Sequence, residues 1–133
     1  MKYLLDTNIC IHFLNGNQKI AQHFRKTGAA NLTVSGIVLA ELFFGAYKSL
    51  KVNENLEKIE LFRHEIEVIF DSAESARVFG KLKADLKKMG RPTQDFDLLV
   101  ASLAISNKLT LVSVNTRHFE NIPGLKFVNW LTD

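Results

Sequence analysis

The sequence predicts an α/β fold: a mostly parallel sheet with helices on both of its faces. Two observations carry that expectation. Short apolar runs recur along the chain at Lys2–Leu5, Leu32–Val34, Val68–Phe70, Leu109–Val114 and Phe127–Trp130. Segments with apolar residues at helical spacing separate them, and strands alternating with helices of this kind build βα units. A third observation makes the fold feasible. The 133 residues are 47% hydrophobic with ten phenylalanines, enough for one domain spanning 1–133 to bury a core.

Each element has its own reason. Lys2–Leu5 is apolar and stops at Asp6, as a buried strand would. A short helix follows, with Ile9, Ile11, Phe13 and Leu14, capped by Asp6 or Thr7 and stopped by Asn15-Gly16. Ile20, Ala21 and Phe24 mark a second helix before Gly28. Gly36–Leu50 is apolar nearly all round, which predicts a helix buried on several sides or meeting a partner. Leu56, Ile59, Leu61 and Phe62 mark a fourth. Ala73–Met89 is amphipathic, with Ala76, Phe79, Leu82 and Leu86 inward, and Gly90-Arg91-Pro92 ends it. Thr93 or Asp95 caps a last helix carrying Leu98, Leu99, Ala101, Leu103, Ala104 and Ile105. No repeat or linker interrupts the series.

Composition excludes several classes. The aromatic content and 23% charged residues exclude a disordered chain, and seven glycines with two prolines exclude collagen-like sequence. No apolar stretch approaches the roughly 18 residues of a membrane span. The early Asp6 leaves no signal-peptide core, and a lone Cys10 among apolar residues suits a buried thiol in a reducing compartment, so a cytoplasmic location is expected. A net charge of +3 permits contact with a phosphate backbone without requiring it. Lys81, Lys83, Lys87, Lys88 and Arg91 fall within eleven residues, which reads either as a solvated helix face or as a grip on phosphates.

Open parallel sheets bind ligands beyond the carboxyl ends of their strands. Asp6 ends the first strand and Asn115 follows the fourth; Asp97 lies in the first turn of the last helix. Glu41 sits in an apolar helix, where a carboxylate reaches water, pairs, or binds a cation. Each alone reads as a cap or an edge residue. Together they put three carboxylates and an amide where one crevice is expected. Carboxylates about 4 Å apart repel by roughly 4 kcal/mol per pair at an effective dielectric of 20, so such a set takes up protons or a cation. All the donors are hard oxygens, which favours Mg²⁺ or Mn²⁺ over zinc and suits phosphodiester hydrolysis. The four histidines show no metal-like spacing; His118 reads as a surface residue or a phosphate contact.

The segments Leu4-Leu5-Asp6-Thr7-Asn8-Ile9, Val34-Ser35 through Leu39-Ala40-Glu41-Leu42-Phe43-Phe44-Gly45-Ala46, Gly90-Arg91-Pro92 through Asp97-Leu98-Leu99-Val100-Ala101, and Leu111 through Phe119 follow one another in order. In this the chain resembles PIN-domain ribonucleases, and among them the VapC-type toxins of toxin–antitoxin systems. The resemblance covers essentially the whole chain. It implies a three-layer α/β/α sandwich, Mg²⁺- or Mn²⁺-dependent endoribonuclease activity, a homodimer, and inhibition by a VapB-type antitoxin. By position it assigns catalysis to Asp6, Glu41 and Asp97, and metal binding to Asp6, Asp97 and Asn115. Many relatives carry an acid where this chain has Asn115, which puts a second tightly held metal in doubt.

Two further sets follow from the residues around these motifs. Lys87, Lys88, Arg91 and Arg117 are expected to flank the crevice and bind RNA phosphates. Phe43, Phe44 and Tyr47 exceed what one sheet face can cover and are expected at a partner surface, with core burial as the competing reading for Phe43. Three rivals remain: a haloacid-dehalogenase phosphatase, which would need an acid at Asn8; a receiver-like domain with Asp71 as phosphoacceptor; and a catalytically inactive PIN-fold binding module.

Overall fold

The apolar runs pair side by side into one five-stranded sheet in the computed structural model, which describes residues 2–133. The strands are β1 (Tyr3–Leu5), β2 (Leu32–Ser35), β3 (Glu67–Ile69), β4 (Thr110–Val112) and β5 (Phe127–Val128), in spatial order β3-β2-β1-β4-β5 and all parallel. The helices are α1 (Thr7–Leu14), α2 (Gln18–Thr27), α3 (Gly36–Tyr47), α4 (Val52–Glu65), α5 (Ala73–Lys88) and α6 (Asp95–Ser106). From β1 to β3 the chain moves one way along the sheet, so right-handed crossovers put α1–α4 on one face. From β3 it returns past β1 to β4, which puts α5 and α6 on the other. The packing agrees: α1, α2, α3 and α4 contact in pairs, and α5 lies along α6. This is the expected three-layer sandwich.

The core explains why the strands are short and nearly all apolar. Leu4, Leu5, Val34, Leu111 and Val112 are fully buried, covered on one side by Ile9, Val38 and Leu42 and on the other by Val100, Leu103 and Ala104. Strands buried on both faces lose the polar alternation of a half-solvated sheet. Cys10 belongs to this core, and burial pushes its thiol well above the ordinary range, so it packs as a small hydrophobe. Among the described residues, no helix is long and apolar enough to cross a membrane.

Several boundaries differ from expectation, each for a local reason. The third helix ends at Tyr47 rather than Leu50. The Ser49 hydroxyl donates to the Ala46 carbonyl at 2.7 Å and accepts from Asn55 at 2.9 Å, which replaces the helix ladder and leaves Leu50 in solvent. Neither Thr93 nor Asp95 caps α6; Gln94 occupies that position without a side-chain bond, while Asp95 turns to Lys83 at 3.1 Å. Ala76 is exposed rather than inward, because Ser75 takes the buried place in the Ser72 capping box. The fourth strand stops at Val112, where the Ser113 side chain takes over the hydrogen bonding. The fifth stops at Val128, where Asn129 caps a turn and Trp130 folds in against Tyr3 and Phe24.

Candidate active site

Register fixes the centre of the site. Leu5 pairs with Val112, so the next residues, Asp6 and Ser113, leave the carboxyl ends of the two central strands together. The chain goes from β1 toward β2 on one side while β4 lies on the other, which makes this gap the topological switch point of the sheet. Asp6 donates its backbone N–H to the Val112 carbonyl at 2.9 Å. Its side chain accepts from the Thr7 N–H at 2.9 Å and from the Ser113 hydroxyl at 2.7 Å. Only 3% of Asp6 is exposed. Burial raises its pKa above the ordinary carboxylate value, with Asp97 and Glu41 pushing the same way and the Ser113 and Thr7 hydrogen bonds opposing.

Thr7 ties a second acid to the first. As its backbone N–H serves Asp6, its hydroxyl donates to Glu41 at 2.8 Å. Glu41 is therefore paired and also at a water-facing edge of α3. The third acid, Asp97, comes from the first turn of α6, and its carboxylate is 13% exposed. It lies 2.9 Å from the Nδ1 of His118, on the single-turn 3₁₀ segment Thr116–His118. Asp6, Glu41, Asp97 and Asn115 all line one cavity of about 280 Å³, together with His118 and Gln94. The sequence-derived acids and the amide thus converge as expected. At Asp6 burial raises the pKa more than the two neighbouring acids do. Among the described residues, no three His, Cys, Asp or Glu side chains close into a ready-made metal cage.

A second cavity, of about 340 Å³, shares Asp97 and His118 with the first and continues to Arg91, Arg117 and Asn121. Arg91 donates to the Asn121 side chain at 2.8 Å, which points its guanidinium along that wall. Lys87 and Lys88 line neither cavity; they stay exposed on the last turn of α5, because the Gly90 turn at φ +67° carries the chain away from the lysine face before Arg91. Lys81 and Lys83 pair with Asp85 and Asp95 and belong to a solvated face.

The surplus apolar residues of α3 divide. Phe43 packs in part against the core, whereas Phe44 and Tyr47 are 64% and 66% exposed. Lys48 lies over the Phe44 ring, 5.0 Å from its centre. A separate groove of about 250 Å³, lined by neither ring, runs between α1, α3 and α4, floored by Ile11, Leu14, Leu42 and Ile59, with Glu41 on its rim. Asp71, the residue a receiver domain would need, is exposed beyond the edge strand β3 and outside the acidic cavity.

Reading the residues one at a time missed three that hold the acids: Thr7, Ser113 and His118. Ser113 carried a signal in the pairing of the first and fourth strands, which sets it opposite Asp6. Thr7 and His118 depend on side-chain directions that no periodicity reveals.

Known proteins resemble this chain over nearly its whole length. The ribonuclease VapC2 of Rickettsia felis is 39% identical over 132 residues, covering 98% of each chain. The tRNA(fMet)-specific endonuclease VapC of Shigella flexneri is 35% identical over 130 residues, again covering 98% of each. The crystal structure of VapBC2 from Rickettsia felis bound to a promoter DNA fragment superposes with a TM-score of 0.92 at 36% identity, covering 98% of this chain and 99% of that one. DNA-bound VapBC from Salmonella typhimurium superposes equally well, at 34% identity and 98% coverage of both chains. The profile of the PIN domain matches residues 3–125, and with it this chain belongs to the PIN domain family.

Proposed function

We propose that this protein is a divalent-metal-dependent endoribonuclease that hydrolyses RNA phosphodiester bonds as the toxin of a type II toxin–antitoxin pair in the cytoplasm. The observation that carries the reading is the convergence of Asp6, Glu41, Asp97 and Asn115 on one cavity at the switch point of the sheet. The names of relatives alike over nearly their whole length support it.

The residues fit a hard divalent cation. Every converging ligand is an oxygen, and a buried carboxylate with two acidic neighbours gains from a positive charge. Asp6 and Asp97 would hold the ion, with Asn115 adding a neutral oxygen, and Mg²⁺ or Mn²⁺ suits that set. The bound ion would neutralise phosphate charge and lower the pKa of a coordinated water. Glu41, exposed and tethered by Thr7, would accept a proton from a water at the cavity mouth. Purified protein should cut RNA with Mg²⁺ or Mn²⁺, stop on chelation and resume on adding the metal back. Cleavage that persists in excess chelator would overturn the reading.

Substrate grip is assigned to Arg91 and Arg117, whose cavity adjoins the acidic one. Lys87 and Lys88 would reach only RNA that extends over α5. Binding to single-stranded RNA, followed by anisotropy in chelator, should lose about 0.7 from the slope of log K against log salt for each phosphate contact removed. Replacing Arg91 and Arg117 together with alanine is expected to lower the slope by about 1.4. An unaltered slope would remove both arginines from the interface.

The relatives crystallised as VapBC complexes make an antitoxin the expected partner of this chain too. The exposed Phe44 and Tyr47 are the surface assigned to it, and Phe43 supports them from the core side. Burying one such ring contributes about 1.5–3 kcal/mol. Phe44→Ser with Tyr47→Ser should therefore weaken inhibition by the neighbouring antitoxin at least about 100-fold while nuclease activity persists. Loss of the homodimer with unchanged inhibition would instead assign the rings to a second copy of the chain.

A further inference from the structure

The three acids of the cavity are held in different ways. Asp6 is tied at both oxygens by close neighbours, Thr7 and the buried Ser113. Glu41 is held by the hydroxyl of the same Thr7. An imidazole holds Asp97. Its Oδ2 lies 2.9 Å from the Nδ1 of His118, while Gln94 and Asp95 beside it on α6 make no bond to it.

His118 is well placed for this role. The His118 N–H donates to the Asn115 carbonyl at 3.0 Å, and the next residue, Phe119, is fully buried and closes the same turn through Thr116. The backbone beneath the imidazole is therefore fixed, although the ring is 49% exposed. Nδ1 sits close to that backbone and faces a carboxylate oxygen, so it carries the hydrogen. A hydrogen bond that engages Oδ2 leaves Oδ1 free for the cavity that Asp97 shares with Asp6 and Asn115. Among the described residues, no other hydrogen bond or ion pair holds the Asp97 carboxylate.

We propose that His118 is a positioning residue for Asp97: through Nδ1–H it holds the carboxylate in the rotamer that presents Oδ1 to a divalent cation shared with Asp6. The proposal deepens the metal-dependent reading above and rests on it. A hydrogen-bonding partner behind a metal ligand raises affinity because the ligand needs no reordering when the ion binds; losing such a partner weakens metal binding about 10–100-fold. The rival role for His118 is a phosphate contact, which would involve substrate and not the ion.

Three variants of the full chain separate these roles: His118→Ala, His118→Asn and His118→Gln. The amide nitrogen of asparagine occupies nearly the place of Nδ1, whereas that of glutamine reaches one bond farther. Mn²⁺ binding to the RNA-free protein is measured by titration calorimetry, and cleavage is measured against Mn²⁺ and against RNA concentration. His118→Ala is expected to weaken Mn²⁺ about 10–100-fold and to raise the Mn²⁺ needed for half-maximal cleavage in step. KM for RNA at saturating metal should stay unchanged. His118→Asn should recover most of the Mn²⁺ affinity, and His118→Gln should not. Unchanged Mn²⁺ affinity in His118→Ala would overturn the proposal, and a raised KM alone would make His118 a phosphate contact. Equal recovery by asparagine and glutamine would also overturn it, since the short reach of Nδ1 would then be irrelevant. If the wild-type protein bound no Mn²⁺ and cut no RNA, the metal-dependent reading itself would fall, a result distinct from the others.

Discussion

Asp97→Asn is expected to lower RNA cleavage by about 10³-fold or more, roughly 4 kcal/mol of lost transition-state stabilisation. The change keeps the size of the side chain and one oxygen, so it removes charge and little else. Asp97 is 13% exposed, sits where the α6 dipole favours an anion, and contacts His118. Folding should shift by no more than about 1 kcal/mol, because those interactions are partly solvent-screened. Asp6→Asn should abolish cleavage as well, yet act differently on the metal-free fold. Burial raises the Asp6 pKa, and a carboxylate whose folded pKa lies above its unfolded value loses stability as pH rises through that interval. Above that interval the ionised group opposes folding, so the neutral amide should raise the metal-free Tm there while Asp97→Asn leaves it near wild type. Cleavage is measured by gel assay at saturating Mg²⁺, and Tm by circular dichroism in chelator. Wild-type cleavage by Asp97→Asn would remove it from the site.

Much of this geometry was legible before any coordinates. The alternation of strands and helices implied the sandwich, and the carboxyl-end rule directed attention to Asp6 and Asn115. The acids themselves stood out because each breaks a local pattern: Asp6 ends an apolar strand, and Glu41 interrupts an apolar helix. What stayed hidden was the layer behind them. Thr7 looks like an ordinary cap, and the role of Ser113 follows only from the register that sets β1 beside β4. His118 read as a surface histidine and is half in solvent, yet one of its nitrogens reaches Asp97 from 21 residues away. The basic segment divides between its two readings: Lys81 and Lys83 form local ion pairs, as a solvated helix face does, and of the other three only Arg91 lines the cavity.

The same dependence of site on fold predicts the largest stability effect. Phe119 is the biggest fully buried side chain among the described residues, and it follows immediately after the turn that carries Arg117 and His118. Phe119→Ala should destabilise the protein by about 3–5 kcal/mol through lost burial and the cavity left behind. For a domain of this size that lowers Tm by roughly 10–20 °C. The consequence should not stop at stability. The Phe119 N–H bonds to Thr116 and its carbonyl receives the Ile122 N–H, so the ring anchors the backbone on both sides of the turn. With that anchor gone, His118 loses its fixed approach to Asp97, and Mn²⁺ affinity should fall even at temperatures where the variant is fully folded. Phe119→Leu refills most of the space and should retain most of both properties. Urea unfolding gives the first quantity and calorimetric titration at low temperature the second. A Phe119→Ala protein that is several kcal/mol less stable but binds Mn²⁺ like wild type would show that Asp97 is oriented independently of the turn, and that core packing and metal geometry are uncoupled here.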